Sequence, residues 1–192
     1  MKKLILASGS PRRFELLSHF GFELEVIKPV LQETIDPSLS PEENVVLLAL
    51  QKGNSVAEIK GTATPLLSAD TIVVLGGNII NKPVDREDAI RILTKLSGKT
   101  HFVFTGVAVF FKNKVDSFFV KSEVTFKSLS QKEIADYCDT DEPYDKAGAY
   151  ALQGTGAFMV KSIKGSYSNV IGLPVSEVIE SLQKLNVING LK

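Results

Sequence analysis

The sequence predicts an α/β protein in which a mixed twisted sheet is flanked by helices. In the N-terminal half, short apolar runs of strand length alternate with segments whose apolar residues recur every three or four positions. In the C-terminal half, two long β-rich runs are broken only at Asn113-Lys114, which predicts that they pair as a hairpin. Early alternation combined with a later hairpin favours a sheet of mixed strand direction with helices packed against it.

Capping residues and glycines locate the predicted helices. Ser10 is a good N-cap with Pro11 at the first helical position, where its missing N–H costs nothing, and Gly21 ends this helix. Ser40 and Ser130 each begin a segment with capping-box spacing, which predicts two further helix starts. Helices are expected over residues 11–20, 41–59, 85–97, 131–138 and 174–185.

Apolar runs bounded by turn residues locate the predicted strands. The glycine pair at 76–77 is followed by Ile79-Ile80, which indicates a short hairpin. Strands are expected over residues 4–7, 24–30, 65–75, 79–80, 100–112, 115–129 and 157–163. The 192 residues contain no repeat, low-complexity tract or clear linker, so one domain or two tight lobes is expected.

Charge and composition exclude several classes of protein. The chain has 22 Lys plus Arg and 22 Asp plus Glu, so no overall field attracts nucleic acid or an anionic membrane, and neither is expected as a partner. The uninterrupted apolar runs are far shorter than the roughly 18 residues of a membrane-spanning helix. The single cysteine, Cys138, cannot form an internal disulfide, which suits a reducing compartment and makes the cytoplasm the expected location.

Several well-known catalytic motifs are missing. The sequence has no Walker P-loop, no His-Glu-x-x-His pair and no pair of cysteines for zinc. His19 lies on a predicted helix and is better explained as a surface or packing residue. Gly154-Thr155-Gly156 lacks the third glycine of a dinucleotide-binding turn and follows no strand-to-helix connection.

The segment Ser8-Gly9-Ser10-Pro11-Arg12-Arg13 is a candidate phosphate cradle. A turn of small residues that leads into a helix N-terminus exposes backbone N–H groups that suit phosphate oxygens. The two arginines add positive charge and planar donor groups of matching geometry. An ordinary capped helix with solvated basic residues explains the same segment equally well.

A second unusual feature is Asp70, which lies in an otherwise apolar predicted strand. An aspartate buried there is costly unless it is paired or functional. It could bind Mg²⁺ or accept a proton from water, and the alternative is a carboxylate that caps a nearby turn. Lys52 and Lys82 could add charge to a polyphosphate site, although each alone is typical of a solvated surface lysine.

Two glycine-rich polar stretches follow later in the chain. One runs from Asp145 to Gly154, between a predicted helix and a predicted strand, where base-reading or lid loops often lie. The other runs from Gly165 to Pro174. Plain long loops explain both equally well.

Taken together and in this order, these segments resemble the Maf family of nucleoside triphosphate pyrophosphatases over nearly the whole chain. Each motif alone is weak, whereas the ordered set is highly specific. The matching segments are Ser8-Gly9-Ser10-Pro11-Arg12-Arg13, Ala69-Asp70-Thr71-Ile72-Val73, Lys82-Pro83, Thr105-Gly106-Val107-Ala108, Asp145-Lys146-Ala147-Gly148-Ala149-Tyr150, Gln153-Gly154, and Gly165-Ser166-Tyr167 through Gly172-Leu173-Pro174.

The resemblance implies hydrolysis of a nucleoside triphosphate to the monophosphate and pyrophosphate, with a divalent metal and an inosine triphosphatase-like fold. It implies one pyrophosphatase domain over residues 1–192, with which two lobes and a substrate cleft between them are compatible. Asp70 matches the family's catalytic acidic residue. Arg12, Thr71 and Gln153 match the positions linked to base choice, in the set of the dTTP and UTP subfamily.

Physical reasoning adds roles for the remaining candidates. Positive charge on the leaving pyrophosphate is expected from Arg13, Lys52 and Lys82, with Ser8 and Ser10 in the phosphate cradle. Glu33 and Asp70 are the expected metal ligands. Mg²⁺ is preferred because it takes hard oxygen ligands, and Mn²⁺ can substitute for it.

Two other functions stay open from the sequence. The chain could bind nucleotide as a regulator of septum formation and cell division without turnover, or it could hydrolyse a modified purine nucleotide such as 7-methyl-GTP. A homodimer is expected from the resemblance alone.

Overall fold

The computed structural model describes residues 2–190, which fall into two compact units. Within these residues, the first unit comprises residues 2–70, 105–120 and 172–190. The second comprises Thr71–Phe104 and Lys121–Ile171. The division runs through strands, so several strands contribute residues to both units.

Within the described residues, seven strands form one mixed sheet. The strands are β1 (Lys2–Ala7), β2 (Phe22–Val26), β3 (Leu66–Leu75), β4 (Asn78–Ile80), β5 (Thr100–Phe111), β6 (Lys114–Phe126) and β7 (Val160–Lys164). Their order is β2-β1-β3-β5-β6-β7, with β4 paired to β3. β1 pairs in parallel with β2 and β3, whereas the β3–β4 and β6–β7 pairs are antiparallel. The predicted mixed α/β class is confirmed.

Six α-helices accompany this sheet in residues 2–190. They are α1 (Pro11–Ser18), α2 (Pro41–Lys60), α3 (Arg86–Leu96), α4 (Gln131–Cys138), α5 (Tyr167–Ile171) and α6 (Val175–Lys184). Both predicted capping boxes are present, at Ser40 with Glu43 and at Ser130 with Glu133. No helix in this part of the chain combines the length and the apolar character needed to cross a membrane.

The turn between β5 and β6 lies at Lys112-Asn113, one residue before the predicted Asn113-Lys114. Lys112 and Asn113 join β5 to β6 with φ values of 48° and 63°, the positive values that a two-residue type I′ hairpin turn needs. β2 is shorter than expected because its partner β1 ends at Ala7 and the register pairs Leu6 with Val26. The Ile27 N–H still donates to the carbonyl oxygen of Leu6 at 3.0 Å, and β1 extends no further than Ala7.

The first unit buries both faces of its central strands. Leu4 and Leu6 of β1 pack in one apolar cluster with α1 and α6 residues, whereas Ile5 and Ala7 pack in another with α2 residues such as Ala49. Alternate side chains of a strand point to opposite faces, so two helical layers cover one strand. The strands therefore read as continuous apolar runs, as expected for a sheet covered on both sides.

The second unit has its own apolar core. Leu93 and Leu96 of α3 pack with Val103 of β5, Phe126 of β6 and Ile134 of α4, and all five side chains are at most 1% exposed. Each unit is thus stabilised by a separate set of buried side chains.

Candidate active site

Helix α2 approaches the sheet of the first unit closely at two glycines. A Cβ atom on Gly53 would lie 2.1 Å from the Phe110 ring and 2.7 Å from Ser68 Oγ. A Cβ atom on Gly106, in β5, would lie 2.2 Å from the carbonyl oxygen of Val45 in α2. Any side chain at either position would push helix and strands apart. The two glycines therefore let α2 lie directly against β3 and β5.

Asp70 lies on the face of β3 that α2 covers. Alternation along the strand puts Asp70 on the same face as Leu66 and Ser68. Leu66 packs in the α2-side cluster, and Ser68 Oγ donates to the carbonyl oxygen of Ala49 in α2 at 2.7 Å. Asp70 is 6% exposed, so a carboxylate is buried between strand and helix.

Lys52 of α2 joins Asp70 to Glu33. Its Nζ donates to Asp70 Oδ1 at 2.5 Å and lies 3.0 Å from Glu33 Oε1. The Lys52 and Asp70 side chains are 10% and 8% exposed, whereas that of Glu33 is half exposed. Because a buried carboxylate is costly without a counter-charge, the ammonium group supplies the partner that Asp70 requires. We call Glu33, Lys52 and Asp70 the Lys52 cluster.

The loop that follows Glu33 is held by Asn44, which is fully buried in the first turn of α2. Asn44 Nδ2 donates to the carbonyl oxygens of Asp36 and Leu39 at 2.9 and 3.1 Å. Its Oδ1 accepts the backbone N–H of Asp36 at 2.8 Å. The loop is therefore fixed to the same helix that carries Lys52.

Ser8 and Arg13 organise the turn between β1 and α1. Ser8 Oγ accepts the Ser10 backbone N–H and Arg13 Nη1, both at 3.1 Å. Arg13 Nε donates to the carbonyl oxygen of Gly172 at 2.8 Å. Ser10 occupies the predicted N-cap position before Pro11, but its side chain makes no capping hydrogen bond. The turn is thus organised around the buried guanidinium of Arg13.

Electrostatics connect this turn with the Lys52 cluster. Burial lowers the pKa of the Arg13 guanidinium, because desolvation disfavours the charged form. The Asp70 carboxylate opposes this and raises the Arg13 pKa, as does Glu33 more weakly, whereas the Arg12 charge lowers it. Arginine stays protonated in proteins, so a permanent cation acts on both carboxylates.

The Lys52 cluster fits a divalent metal. Carboxylate oxygens of Glu33 and Asp70 already lie within 3.0 Å of one cation, the Lys52 ammonium. Across residues 2–190 no group of three or more His, Cys, Asp or Glu side chains converges in a metal-binding arrangement. Mg²⁺ is commonly held by one or two carboxylates, while phosphate oxygens and water fill its other coordination positions. Glu33 and Asp70 provide two such carboxylates.

Of the four remaining predicted residues, Arg12 lies in α1 of the first unit and the other three belong to the second unit. Thr71 follows Asp70 on β3, Lys82 lies between β4 and α3, and Gln153 precedes the 3-10 turn at Thr155–Met159. Lys82 and Gln153 are exposed, and Thr71 is half-buried. The structure places them in three separate segments of this unit.

The glycine-rich segment after α4 is not a plain solvated loop. Gly148 and Ala149 are buried and both adopt left-handed backbone conformations, with φ values of 76° and 59°. Such a value is unusual for alanine and persists only where the surroundings enforce it. The Gly148 N–H donates to the carbonyl oxygen of Asn81 at 3.4 Å, directly before Lys82.

Sequence reasoning missed two residues near Gln153. The Glu142 carboxylate accepts the backbone N–H groups of Thr155 at 2.8 Å and Gly156 at 2.9 Å. The Tyr137 hydroxyl donates to the same carboxylate at 3.0 Å. The signal for them in the sequence is the pair of glycines that flank Thr155, which resembles part of a dinucleotide-binding motif but does not complete it. β7 begins at Val160 instead of residue 157 because Thr155–Met159 form a 3-10 turn, in which the Ala157 N–H donates to the carbonyl oxygen of Gly154 at 3.1 Å.

Comparisons with known proteins identify a matching family and close sequence relatives. The sequence profile of the Maf-like protein family matches residues 3–185. The chain is 46% identical over 187 residues to a dTTP/UTP pyrophosphatase of Bacillus anthracis, and the match covers 97% of both chains. It is 45% identical over 187 residues to a dTTP/UTP pyrophosphatase of Bacillus pumilus, covering 97% of this chain and 98% of that one.

A solved structure shares the fold. The structure of the Staphylococcus aureus Ham1 protein is similar with a TM-score of 0.56 over 97% of this chain and 98% of that chain. The identity is 14%, so this likeness concerns the fold alone, and it agrees with the predicted mixed α/β class. Because the family profile spans most of the chain and the Bacillus relatives align along nearly all of it, the protein belongs to the Maf family.

Proposed function

We propose that the protein is a nucleoside triphosphate pyrophosphatase that converts dTTP and UTP to the monophosphate and pyrophosphate. The observation that carries the proposal is the Lys52 cluster, which buries a candidate base, Asp70, against a lysine within a Maf-family chain. Identity of 46% to a dTTP/UTP pyrophosphatase over 97% of the chain supports the choice of substrate.

Asp70 is the proposed general base. The oxygen of a water molecule attacks the α-phosphorus, the bond between that phosphorus and the oxygen leading to the β-phosphorus breaks, and pyrophosphate leaves. The proton of the attacking water passes to the Asp70 carboxylate. The hydrogen bond from Lys52 Nζ, at 2.5 Å, fixes the orientation of that carboxylate and keeps it in place before substrate arrives.

Cationic groups balance the charge that develops on the leaving pyrophosphate. Arg13 and Lys52 contribute from buried positions, and the exposed Lys82 is assigned to the same role. Ser8 and Ser10 complete the proposed phosphate-binding set. The hydrogen bond from Arg13 to Ser8 holds the turn in shape, so its backbone groups need little rearrangement on binding.

Glu33 and Asp70 would hold the divalent metal, Mg²⁺ or Mn²⁺. The metal supplies positive charge to the phosphate oxygens. Glu33 suits a ligand role because half of its side chain is exposed while its carboxylate already faces the Lys52 cluster.

Base choice is assigned to Arg12, Thr71 and Gln153. These residue types offer donors and acceptors that suit the polar edge of a pyrimidine.

The chain acts as one pyrophosphatase domain in this proposal, in the cytoplasm and as a homodimer, without a nucleic-acid partner. The single cysteine and the balanced charge support the location and the absence of nucleic acid, and the family resemblance supports the dimer.

The test is pyrophosphate release from dTTP, UTP, CTP, GTP, ITP and 7-methyl-GTP with Mg²⁺. We expect release confined to dTTP and UTP, and a loss of at least about 10²-fold in the Asp70→Asn variant. Asp136→Asn is the matched control, because Asp136 lies on the exposed face of α4 in a surface pair with Lys132. Full turnover by Asp70→Asn, or no release from any nucleotide by the wild type, would contradict the proposal.

A further inference from the structure

One pair of side chains binds the Gln153 segment on both sides. Before Gln153, the backbone N–H of Ala151 donates to the Tyr137 hydroxyl oxygen at 3.3 Å. After it, the first two N–H groups of the 3-10 turn at Thr155–Met159 donate to the Glu142 carboxylate. The Tyr137 hydroxyl joins the two sides by its own hydrogen bond to Glu142. Gln153 therefore lies in a short bridge whose two ends are fixed to the same pair.

The glycines next to Gln153 are explained by this pair. A Cβ atom on Gly154 would lie 2.3 Å from a carboxylate oxygen of Glu142. Gly154 has a φ of −133°, which any residue adopts, so a side chain there would displace the Glu142 carboxylate without straining the backbone. A Cβ atom on Gly156 would lie 2.7 Å from the Tyr137 hydroxyl oxygen. Both glycines thus permit the pair to reach the backbone.

The pair is itself firmly held. Tyr137 is 2% exposed, and burial together with the Glu142 charge raises the pKa of its phenol, so the hydroxyl remains a donor. Lys146 Nζ donates to the backbone carbonyl oxygen of Glu142 at 2.6 Å. A carboxylate that accepts two backbone N–H groups and one hydroxyl forms strong, charge-assisted bonds, which restrict the segment that they join.

We propose that Glu142 and Tyr137 are a positioning pair that holds Gln153 in the orientation that selects thymine or uracil over cytosine. The inference rests on the proposed function, in which Gln153 contributes to base choice. The Gln153 amide carries a donor and an acceptor on one group, so its orientation decides which base edge it matches. The pair acts through the backbone of Gln153 and leaves the reaction at the α-phosphorus to the Lys52 cluster.

The test compares Tyr137→Phe and Glu142→Gln with the wild type. Binding of the non-hydrolysable α,β-methylene analogues of UTP and CTP is measured by calorimetry, and kcat and KM are measured with UTP. We expect the preference for the UTP analogue to fall about tenfold in both variants, as loss of charge-assisted bonds predicts. The KM for UTP should rise while kcat changes less than about threefold. Asp141→Asn, an exposed carboxylate beside Glu142, should match the wild type.

The outcomes separate positioning from a purely structural role. A structural role would weaken both analogues equally and leave their ratio unchanged, and that result in both variants would overturn the inference. Tyr137→Phe removes one hydroxyl and keeps the buried ring, so folding is retained even where Glu142→Gln disturbs it. A wild type that binds both analogues equally would also overturn it. A wild type that prefers the UTP analogue but releases no pyrophosphate would refute the proposed reaction, and loss of that preference in the variants would still support the pair.

Discussion

Through one nitrogen atom, Lys52 pairs with a buried carboxylate and is proposed to orient that carboxylate for the reaction. Its ammonium lies 2.5 Å from a buried Asp70 oxygen and 3.0 Å from a Glu33 oxygen. Buried ion pairs add little net stability when compared with apolar replacements, but removal of one partner leaves an uncompensated charge. Lys52 thus makes it possible to keep the Asp70 carboxylate buried, at the position where the proposed reaction requires it.

This pairing predicts that Lys52→Met destabilises the fold by about 3 kcal/mol and lowers pyrophosphate release at least about tenfold. Lys60→Met is the control, because Lys60 lies on the same helix in an exposed pair with Glu25, where about 0–1 kcal/mol is expected. Urea unfolding and the UTP assay measure the two effects. Equal destabilisation by both substitutions would show that Asp70 does not depend on Lys52.

At the scale of elements, the placement of α2 decides where Lys52 lies. The residues of α2 that face the strands recur at helical spacing, and Gly53 is among them. Glycine is the poorest helix former after proline, so its presence in a long helix has a cost that packing must offset. The close packing of Gly53 against Phe110 and Ser68 offsets this cost.

Gly53→Ala therefore tests how closely α2 packs against the strands. Helix propensity alone predicts a gain of about 1 kcal/mol, whereas a Cβ atom 2.1 Å from the Phe110 ring predicts overpacking that costs about 1–3 kcal/mol or more. We expect net destabilisation by thermal unfolding and reduced pyrophosphate release, because Lys52 moves with the helix. Asn54→Ala, an exposed neighbour on α2, should be neutral or slightly stabilising. A more stable Gly53→Ala protein would refute this close packing.

At the scale of the whole molecule, local signals predicted most of the fold. The capping box at Ser40, the apolar run that forms β3 and the break at Asn113-Lys114 each lie within a few residues of sequence. The structure has all three elements, with the turn one residue earlier, at Lys112-Asn113. Helix α5 was missed because its five residues, Tyr-Ser-Asn-Val-Ile, are too few to show a helical period. The start of β7 was misplaced because residues 157–159, whose apolar character favoured a strand, belong to the 3-10 turn at Thr155–Met159.

The candidate site was predictable only in part. Asp70 stands out because it interrupts an apolar run, which is visible in the sequence itself. Its partnership with Lys52 depends on α2 docking against β3, and that docking depends on Gly53, which has no distinctive pattern around it. An unusual residue within one strand can be recognised in the sequence, whereas contacts between elements can be known only from the tertiary structure.

The acid stability of the folded chain depends on a buried histidine in the second unit. His101 is fully buried, its Nε2 lies 2.9 Å from the Tyr150 hydroxyl oxygen, and its ring packs edge-on against Phe126. Among the described residues its Nδ1 has no hydrogen-bond partner. Burial lowers the pKa of His101 from 6.5 to about 4, because no neighbour compensates for desolvation of the charged ring.

The lowered pKa fixes the direction of the pH effect. Between about pH 6.5 and about pH 4 the unfolded chain binds a proton at His101 that the folded chain does not, so stability falls as the pH falls through this range. The expected loss from this residue is about 2–3 kcal/mol between about pH 7.5 and about pH 4.5. His101→Gln, whose amide can still reach Tyr150, should remove that part of the pH dependence, whereas a substitution at the exposed His19 should keep it. Urea unfolding at the two pH values measures the difference, and an unchanged pH dependence in His101→Gln would show that His101 does not resist protonation in the folded protein.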